Sequence, residues 1–282
     1  MKTIKLENRI TFFILIMALF LLNFQYISFL SIIFGSLISF LIIKLLETLN
    51  IYKYKITKAF LLITSIFSLT YYLNKISYFI GDNILREYSI IPITFTLLLS
   101  VFLLGNKFHT IIKLITISSY FILLNLIIGI IILIPYIDIS NLNMSILFTN
   151  NLIFNTIIYV TSLVYTYFLI FKISNTKLLK RDLIMTNSFN LLYFLLVNSI
   201  LSILTNILKY PYLIIFKKVN LIWFIERIEI IFAINYLFIF YFLLLLIYYQ
   251  IKSILGIKFK KKKLYIVLGI ISFLIFLSSL IF

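Results

Sequence analysis

Cysteine is absent from the 282 residues, which excludes disulfides, thiolate nucleophiles and cysteine-ligated metals. Histidine occurs once, as His109, in a short polar stretch between Lys107 and Lys113, and reads as a solvated loop side chain. Acids are scarce, with eight Asp and Glu against 25 Lys and Arg. No GxSxG, HExxH, GxxxxGK or Cys/His metal spacing occurs. The expectation is therefore no enzyme, no catalytic residue, no metal and no cofactor. Only 12% of residues are charged, where soluble domains carry roughly 25%. With six glycines and three prolines, the chain also lacks Gly-rich hinges and Pro-rich linkers.

Apolar sequence fills the space left by these absences. Hydrophobic residues make up 63% of the chain and the mean hydropathy is +1.18. About 20 apolar residues span a bilayer as a helix, at ~1.5 Å per residue across a ~30 Å core. Apolar runs cover Ile10–Leu22, Ile27–Leu46, Ala59–Ile80, Ser89–Leu104, Leu114–Ile134, Leu152–Phe171, Phe189–Leu208, Ile230–Tyr249 and Leu264–Leu280. The expected fold is an all-α, polytopic membrane helix bundle of nine spans, one transmembrane domain over residues 1–282. Lys2, Lys5 and Arg9 before the first run resemble a signal-peptide start, but no small-residue cleavage site follows. The run reads as a first membrane helix. One helix over residues 10–46 would be about 55 Å long, so the break Asn23-Phe24-Gln25-Tyr26 divides it in two.

The net charge of +17 would suggest nucleic acid in a soluble protein. Here its distribution suits the positive-inside rule, and no nucleic-acid partner is expected. With the N-terminus inside, the inside loops hold Lys53, Lys55 and Lys58; Lys107 and Lys113; Lys172, Lys177, Lys180 and Arg181; and Lys252, Lys258 and Lys260 through Lys263. The outside stretches are Asn23–Tyr26, Gly81–Tyr88 and Tyr136–Asn151, with little net charge. Lys209, Lys217 and Lys218 break the alternation. Pro211 and the mixed run Tyr212–Ile228 there suggest an interfacial helix.

Polar groups in hydrocarbon are costly, so those inside spans mark candidate functional positions. The sixth run is richest, with Asn151 before it and Asn155, Thr156, Tyr159, Thr161 and Ser162 within. Asn151, Asn155 and Ser162 are spaced by four and seven and share a helical face. Asn151, Asn155, Thr156, Tyr159 and Ser162 are the candidate substrate-binding residues. Interhelical hydrogen bonding, worth ~0.6 kcal/mol per pair in membranes, is the plainer account of such a face. Asn198, Ser202 and Asn206 form a second stripe, four apart. No carboxylate lies in the middle of a run, which argues against a carrier built on a buried acid. Glu226, Arg227 and Glu229 form a local charge group at a span boundary.

The segment from Lys217 to Phe232, with Phe224-Ile225-Glu226-Arg227-Ile228-Glu229 at its centre, resembles the F-I-E-R-x-E region of spore-germination permeases. These are the membrane B subunits of nutrient germinant receptors. Tyr210-Pro211 is similar to the proline before that region, and Asp138-Ile139-Ser140-Asn141-Leu142 to the family's D-x-x-N-L turn. The late spans, with Tyr248 and Tyr249 followed by Lys252 through Lys263, also look alike. Order and spacing agree over about residues 55–282. The resemblance implies the amino-acid/polyamine/organocation transporter architecture, two inverted five-helix repeats with the first and sixth helices broken at the midplane around a small nutrient such as an amino acid. It also implies a spore inner-membrane location, an A-type subunit and a lipoprotein as partners. Three features set this chain apart: no glycine or proline in Ile10–Leu22, no proline after Asn141-Leu142, and a ninth run at the end where the family has ten spans. The expected fold thus lacks the tenth helix.

Two other readings stay open. A flippase or polymerase for lipid-linked polysaccharide would suit the positive charge. A structural or assembly subunit without its own ligand would suit the missing helix break.

Overall fold

The computed structural model describes residues 13–49, 54–85, 88–104, 108–142, 151–174, 180–201, 205, 208–218, 228–255, 269–271 and 273. Among them every regular element is helical. The helices are α1 (Phe13–Leu22), α2 (Phe29–Thr48), α3 (Lys55–Asn83), α4 (Ile90–Leu104), α5 (Phe108–Leu133), α6 (Leu152–Ser174), α7 (Lys180–Leu201) and α8 (Ile228–Leu255). A single helical turn covers Pro211–Ile214, and 3-10 turns cover Phe24–Tyr26, Ile134–Tyr136, Ile139–Asn141 and Ile215–Lys218.

Six helices are long and apolar enough to cross a membrane: Phe29–Thr48, Lys55–Asn83, Lys113–Tyr136, Leu152–Leu169, Asp182–Leu201 and Ile228–Leu255. α1 and α4 are apolar but shorter. At 15 residues, α4 measures about 22 Å, less than the ~30 Å hydrocarbon core. The ninth apolar run lies outside the described residues except at 269–271 and 273. The seventh span starts earlier than the run Phe189–Leu208 suggests, because its helix begins at Lys180 and takes Asn187 and Asn190 into its body.

The faces of α2 are inverted relative to those of a water-soluble helix. On α2, Leu37, Leu41 and Leu45 are each 60% exposed, while Ser31, Gly35 and Ser39 are buried. Both sets recur every four residues, so large apolar side chains line one face and small ones the opposite face. In lipid, helices gain nothing by hiding leucine from water; small residues win the interface because they let backbones approach. α5 also exposes large apolar side chains, Ile117, Phe121, Leu124 and Ile131, while Ile115, Ser119, Ile122 and Leu126 are buried. This is the pattern of a membrane-embedded protein. The acids on the described helices, Glu47, Asp82, Asp182 and Glu229, all fall in a first or last turn.

Backbone contacts divide the chain into two units, Met1–Thr48 with Thr116–Ile239, and Leu49–Ile115 with Phe240–Phe282. In the first, α2 packs along α6 and against α7. α1 is buried on all sides, since Ile14 through Leu21 are shielded throughout. The break after α1 is a short 3-10 turn, Phe24–Tyr26, packed into the protein. Asn23, Phe24, Ile27 and Ser28 are buried, the Asn23 amide donates to Ser162 Oγ at 3.5 Å and the Gln25 amide to the Leu208 carbonyl at 2.6 Å. Buried backbone outside a helix needs such partners. Serine supplies the cap for α2: Ser28 N–H donates to Ser31 Oγ at 2.8 Å, and Ser31 N–H to Ser28 Oγ at 3.3 Å. In the turn at Pro211–Ile214, Pro211, Tyr212 and Leu213 are buried, and residues 219–227 of the run expected to form an interfacial helix lie outside the described residues. Proline sits at the start of that turn, where its missing N–H costs nothing.

In the second unit, α3 packs on α4. The Phe79 ring meets Phe240 edge-on at 5.3 Å, and Phe102 meets Tyr248 at 6.1 Å. Ser65 Oγ donates to the Leu61 carbonyl at 2.6 Å and lies 3.0 Å from Gln250 Oε1.

Candidate functional site

The first unit gathers polar side chains on the facing surfaces of α2, α6 and α7. Tyr159 is the eighth residue of α6 and is buried. Its hydroxyl donates to Asn187 Oδ1 at 2.7 Å and accepts from Asn190 Nδ2 at 3.2 Å. Asn187 and Asn190 are three apart on α7 and present neighbouring positions of one face. Gly35 of α2 lies against the Tyr159 ring and lets the two helices close on it.

One valence in this cluster is unfilled. Asn190 is 0% exposed, and its Oδ1 has no hydrogen-bond partner. A buried amide oxygen left so costs on the order of 1–3 kcal/mol. The Nδ2 of Asn187, which is half-buried, also makes no hydrogen bond among the described residues. The cluster thus offers one acceptor and one donor beside a tyrosine hydroxyl, with no charged group in it.

The five residues expected from the sequence separate here. Tyr159 is central. Asn155 is buried one turn before it on the same face. Ser162 lies one turn after, its hydroxyl donating to the Ile158 carbonyl at 2.8 Å and accepting from Asn23. Thr156 donates to the Leu152 carbonyl at 2.7 Å, so its hydroxyl serves its own helix. Asn151 is exposed at the start of α6. Asn187 was missed because it precedes the seventh apolar run as counted from Phe189; Asn190, inside that run, was not singled out. The signal was present, as two asparagines three apart within helix length of that run.

A second polar cluster joins α7, the turn at Tyr212 and α8. The Tyr193 and Tyr236 hydroxyls share a short hydrogen bond, and each lies 3.4 Å from the Tyr212 carbonyl. Both rings are buried, and Tyr212 meets Tyr236 edge-on at 5.0 Å. The buried Asn235 amide, beside Tyr236 in sequence, has no partner at either end. In the second stripe, Asn198 donates to the Phe194 carbonyl at 2.8 Å and accepts from Thr205 at 2.8 Å. Ser202 and Asn206 lie outside the described residues.

Of the charge group, Glu226 and Arg227 lie outside the described residues. Glu229 stands in the first turn of α8, where a carboxylate complements the helix dipole. Outside the spans, Asp138 caps the 3-10 turn Ile139–Asn141. It accepts from Ser140 N–H at 3.0 Å and Ser140 Oγ at 2.6 Å, which hold its carboxyl below the usual range. This turn closes on α7: Asp138 N–H and the Asn141 amide both donate to the Ser199 carbonyl, at 3.3 and 2.9 Å. No group of three or more His, Asp or Glu able to hold a metal occurs among the described residues. No protein-family model, curated protein or solved structure matches this chain.

Proposed function

We propose that this protein is the membrane subunit of a spore nutrient-germinant receptor of the spore-germination permease type. It senses or passes a small polar nutrient, such as an amino acid, to trigger germination. The observation that carries this reading is the Tyr159–Asn187–Asn190 cluster. It is buried between apolar helices and keeps an unfilled acceptor, where a purely structural pair would close its valences. The Phe224–Glu229 motif supplies the family. On this reading the chain adopts the inverted-repeat transporter fold with nine spans and the N-terminus inside. It resides in the spore inner membrane and assembles with an A-type subunit and a lipoprotein.

The test is affinity purification of a tagged copy from growing cells and from dormant spores. The expected result is recovery from the spore inner membrane together with a large soluble-domain subunit and a lipoprotein. Recovery only from growing cells, alone or with envelope-synthesis proteins, would replace the reading with a vegetative transporter or a polysaccharide flippase.

A further inference from the structure

We propose that α3 carries, toward its Asn83 end, a binding site for the phosphate of an anionic phospholipid, built on Lys75 with Tyr71 and Tyr78 on the lipid-facing side of the helix. The site is independent of the receptor reading. The depth of one charge carries the inference. On the described helices every other Lys, Arg, Asp and Glu lies within five residues of a helix end. Lys75 stands eight residues, about 12 Å, from the nearer end of α3 and inside the apolar run Ala59–Ile80. A charge at such a position is costly and calls for a partner.

The direction of approach follows from the helix face. Phe60, Ile63, Phe67 and Tyr71 are three or four residues apart, each at least half exposed, and form one face of α3. Leu61, Ser65, Leu69 and Ile76 are buried on the other. Lys75, Tyr78 and Asp82 continue the exposed face at the same spacing; Lys75 and Tyr78 are half-buried and Asp82 is exposed. The Lys75 ammonium does not turn toward the near helix end. Its Nζ sits 5.2 Å from the centroid of the Tyr71 ring, one turn back toward the middle of α3. A single cation–π contact returns less than a charge in hydrocarbon costs. The ammonium has three N–H donors, so it can keep its place over the ring and still meet an anionic oxygen. That anion reaches an exposed face from the lipid side, where the bilayer supplies phosphate. Tyrosine suits the same level, with an apolar ring and a polar tip. An anionic lipid is favoured over phosphatidylcholine because no tethered ammonium competes for its phosphate. Asp82, about 10 Å further along the helix, is the competing anion.

The experiment is fluorescence quenching of the full chain, reconstituted in vesicles, by brominated phosphatidylglycerol or brominated phosphatidylcholine. Trp223→Phe removes the one native indole, and Tyr71→Trp places a reporter that keeps an aromatic ring beside Lys75. The expected result is an affinity for phosphatidylglycerol about fivefold above that for phosphatidylcholine at this position, the effect of one cation near the surface. The preference should be lost in Lys75→Gln and kept in Lys75→Arg. Lys58→Gln, near the other end of the same helix, should leave it unchanged. No preference with Lys75 in place would overturn the site and give Lys75 to Asp82. A preference that survives Lys75→Gln would overturn it as well, leaving only the general attraction of a basic chain. Loss of the preference with inorganic phosphate, but not with sodium chloride at equal ionic strength, would overturn the lipid as the source and assign the site to a soluble phosphate.

Discussion

Gly35 and Tyr159 meet across the α2–α6 seam with no room for a methyl group. A Cβ on Gly35 would stand 2.7 Å from Tyr159 Cδ1 and 3.3 Å from its Cβ. The second atom is anchored to the α6 backbone, so the ring cannot simply swing away. Gly35→Ala should therefore push the helices apart and disturb the Asn187 and Asn190 hydrogen bonds. Overpacking of this kind costs about 1–3 kcal/mol. The detergent-solubilised variant should melt at a lower temperature and, on the receptor reading, spores carrying it should lose response to nutrient. Leu37→Ala on the lipid face of the same helix should do neither, and equal effects for the two would refute the seam as the sensitive surface.

Gly129 makes a second close approach. A Cβ there would fall 2.6 Å from Phe232 Cε1 and 3.1 Å from Phe216 Cζ, within a ring pair stacked at 3.7 Å. Gly129→Ala should destabilise by about 1–3 kcal/mol. Phe232→Leu in the same chain should restore part of the loss, because it removes the atoms the methyl group meets. A double-mutant cycle on unfolding reads this coupling, and strict additivity would show that the two residues are independent.

Tyr193 and Tyr236 share one hydrogen bond, with the Tyr212 carbonyl beside both hydroxyls. Tyr193→Phe removes one hydroxyl and should cost about 0.5–1.5 kcal/mol. Adding Tyr236→Phe should cost less than a second full share, since the broken bond is common to both. Melting of the two single variants and the double variant measures this.

Thr156 and Tyr159 are three residues apart in sequence but differ in role. Thr156→Val should leave the nutrient dose–response nearly unchanged, because its hydroxyl bonds the carbonyl four residues back. Tyr159→Phe should raise the concentration needed, because it unties both asparagines. The dose–response of spores carrying each variant decides between them, and the reverse ranking would remove Tyr159 from the site.

Asp138 gives the loop before α6 a pH dependence. Its carboxyl is held below the usual range by the Ser140 hydroxyl and then the Ser140 N–H. A group with a lowered folded-state pKa contributes above the unfolded value and loses that contribution as pH falls through the folded value. Protection of the amides at 138–142, taken relative to their intrinsic exchange rates, should therefore fall on acidification below the ordinary carboxylate range. Asp138→Asn should exchange at a rate independent of that titration.

Much of the helical layout was legible without a structure. The run Leu152–Phe171 predicts α6 closely, and Asn23–Tyr26 is indeed where the first long apolar stretch breaks. Run length and the cost of polar atoms in hydrocarbon are local properties, so each segment announces itself. Part of the candidate site was legible too: spacing puts Asn151, Asn155 and Ser162 on one face, and Tyr159 is among the polar residues of the same run. Thr156 shows the limit. Spacing could not tell a hydroxyl aimed at its own helix from one aimed at a neighbour.

Sequence alone settled that the chain forms long apolar helices, where most of them run, and that its lysines gather between them. The tertiary structure decided that Asn187 and Asn190 close on Tyr159, that Gly35 lets α2 approach the same ring, and that the turn at Asn23 is buried. The reason is physical. Between helices in lipid there is no hydrophobic drive to choose partners, so rotation and neighbours follow from small-residue contacts and individual hydrogen bonds. Those depend on pairs of residues more than a hundred positions apart, such as Gly35 and Tyr159, which no local pattern records.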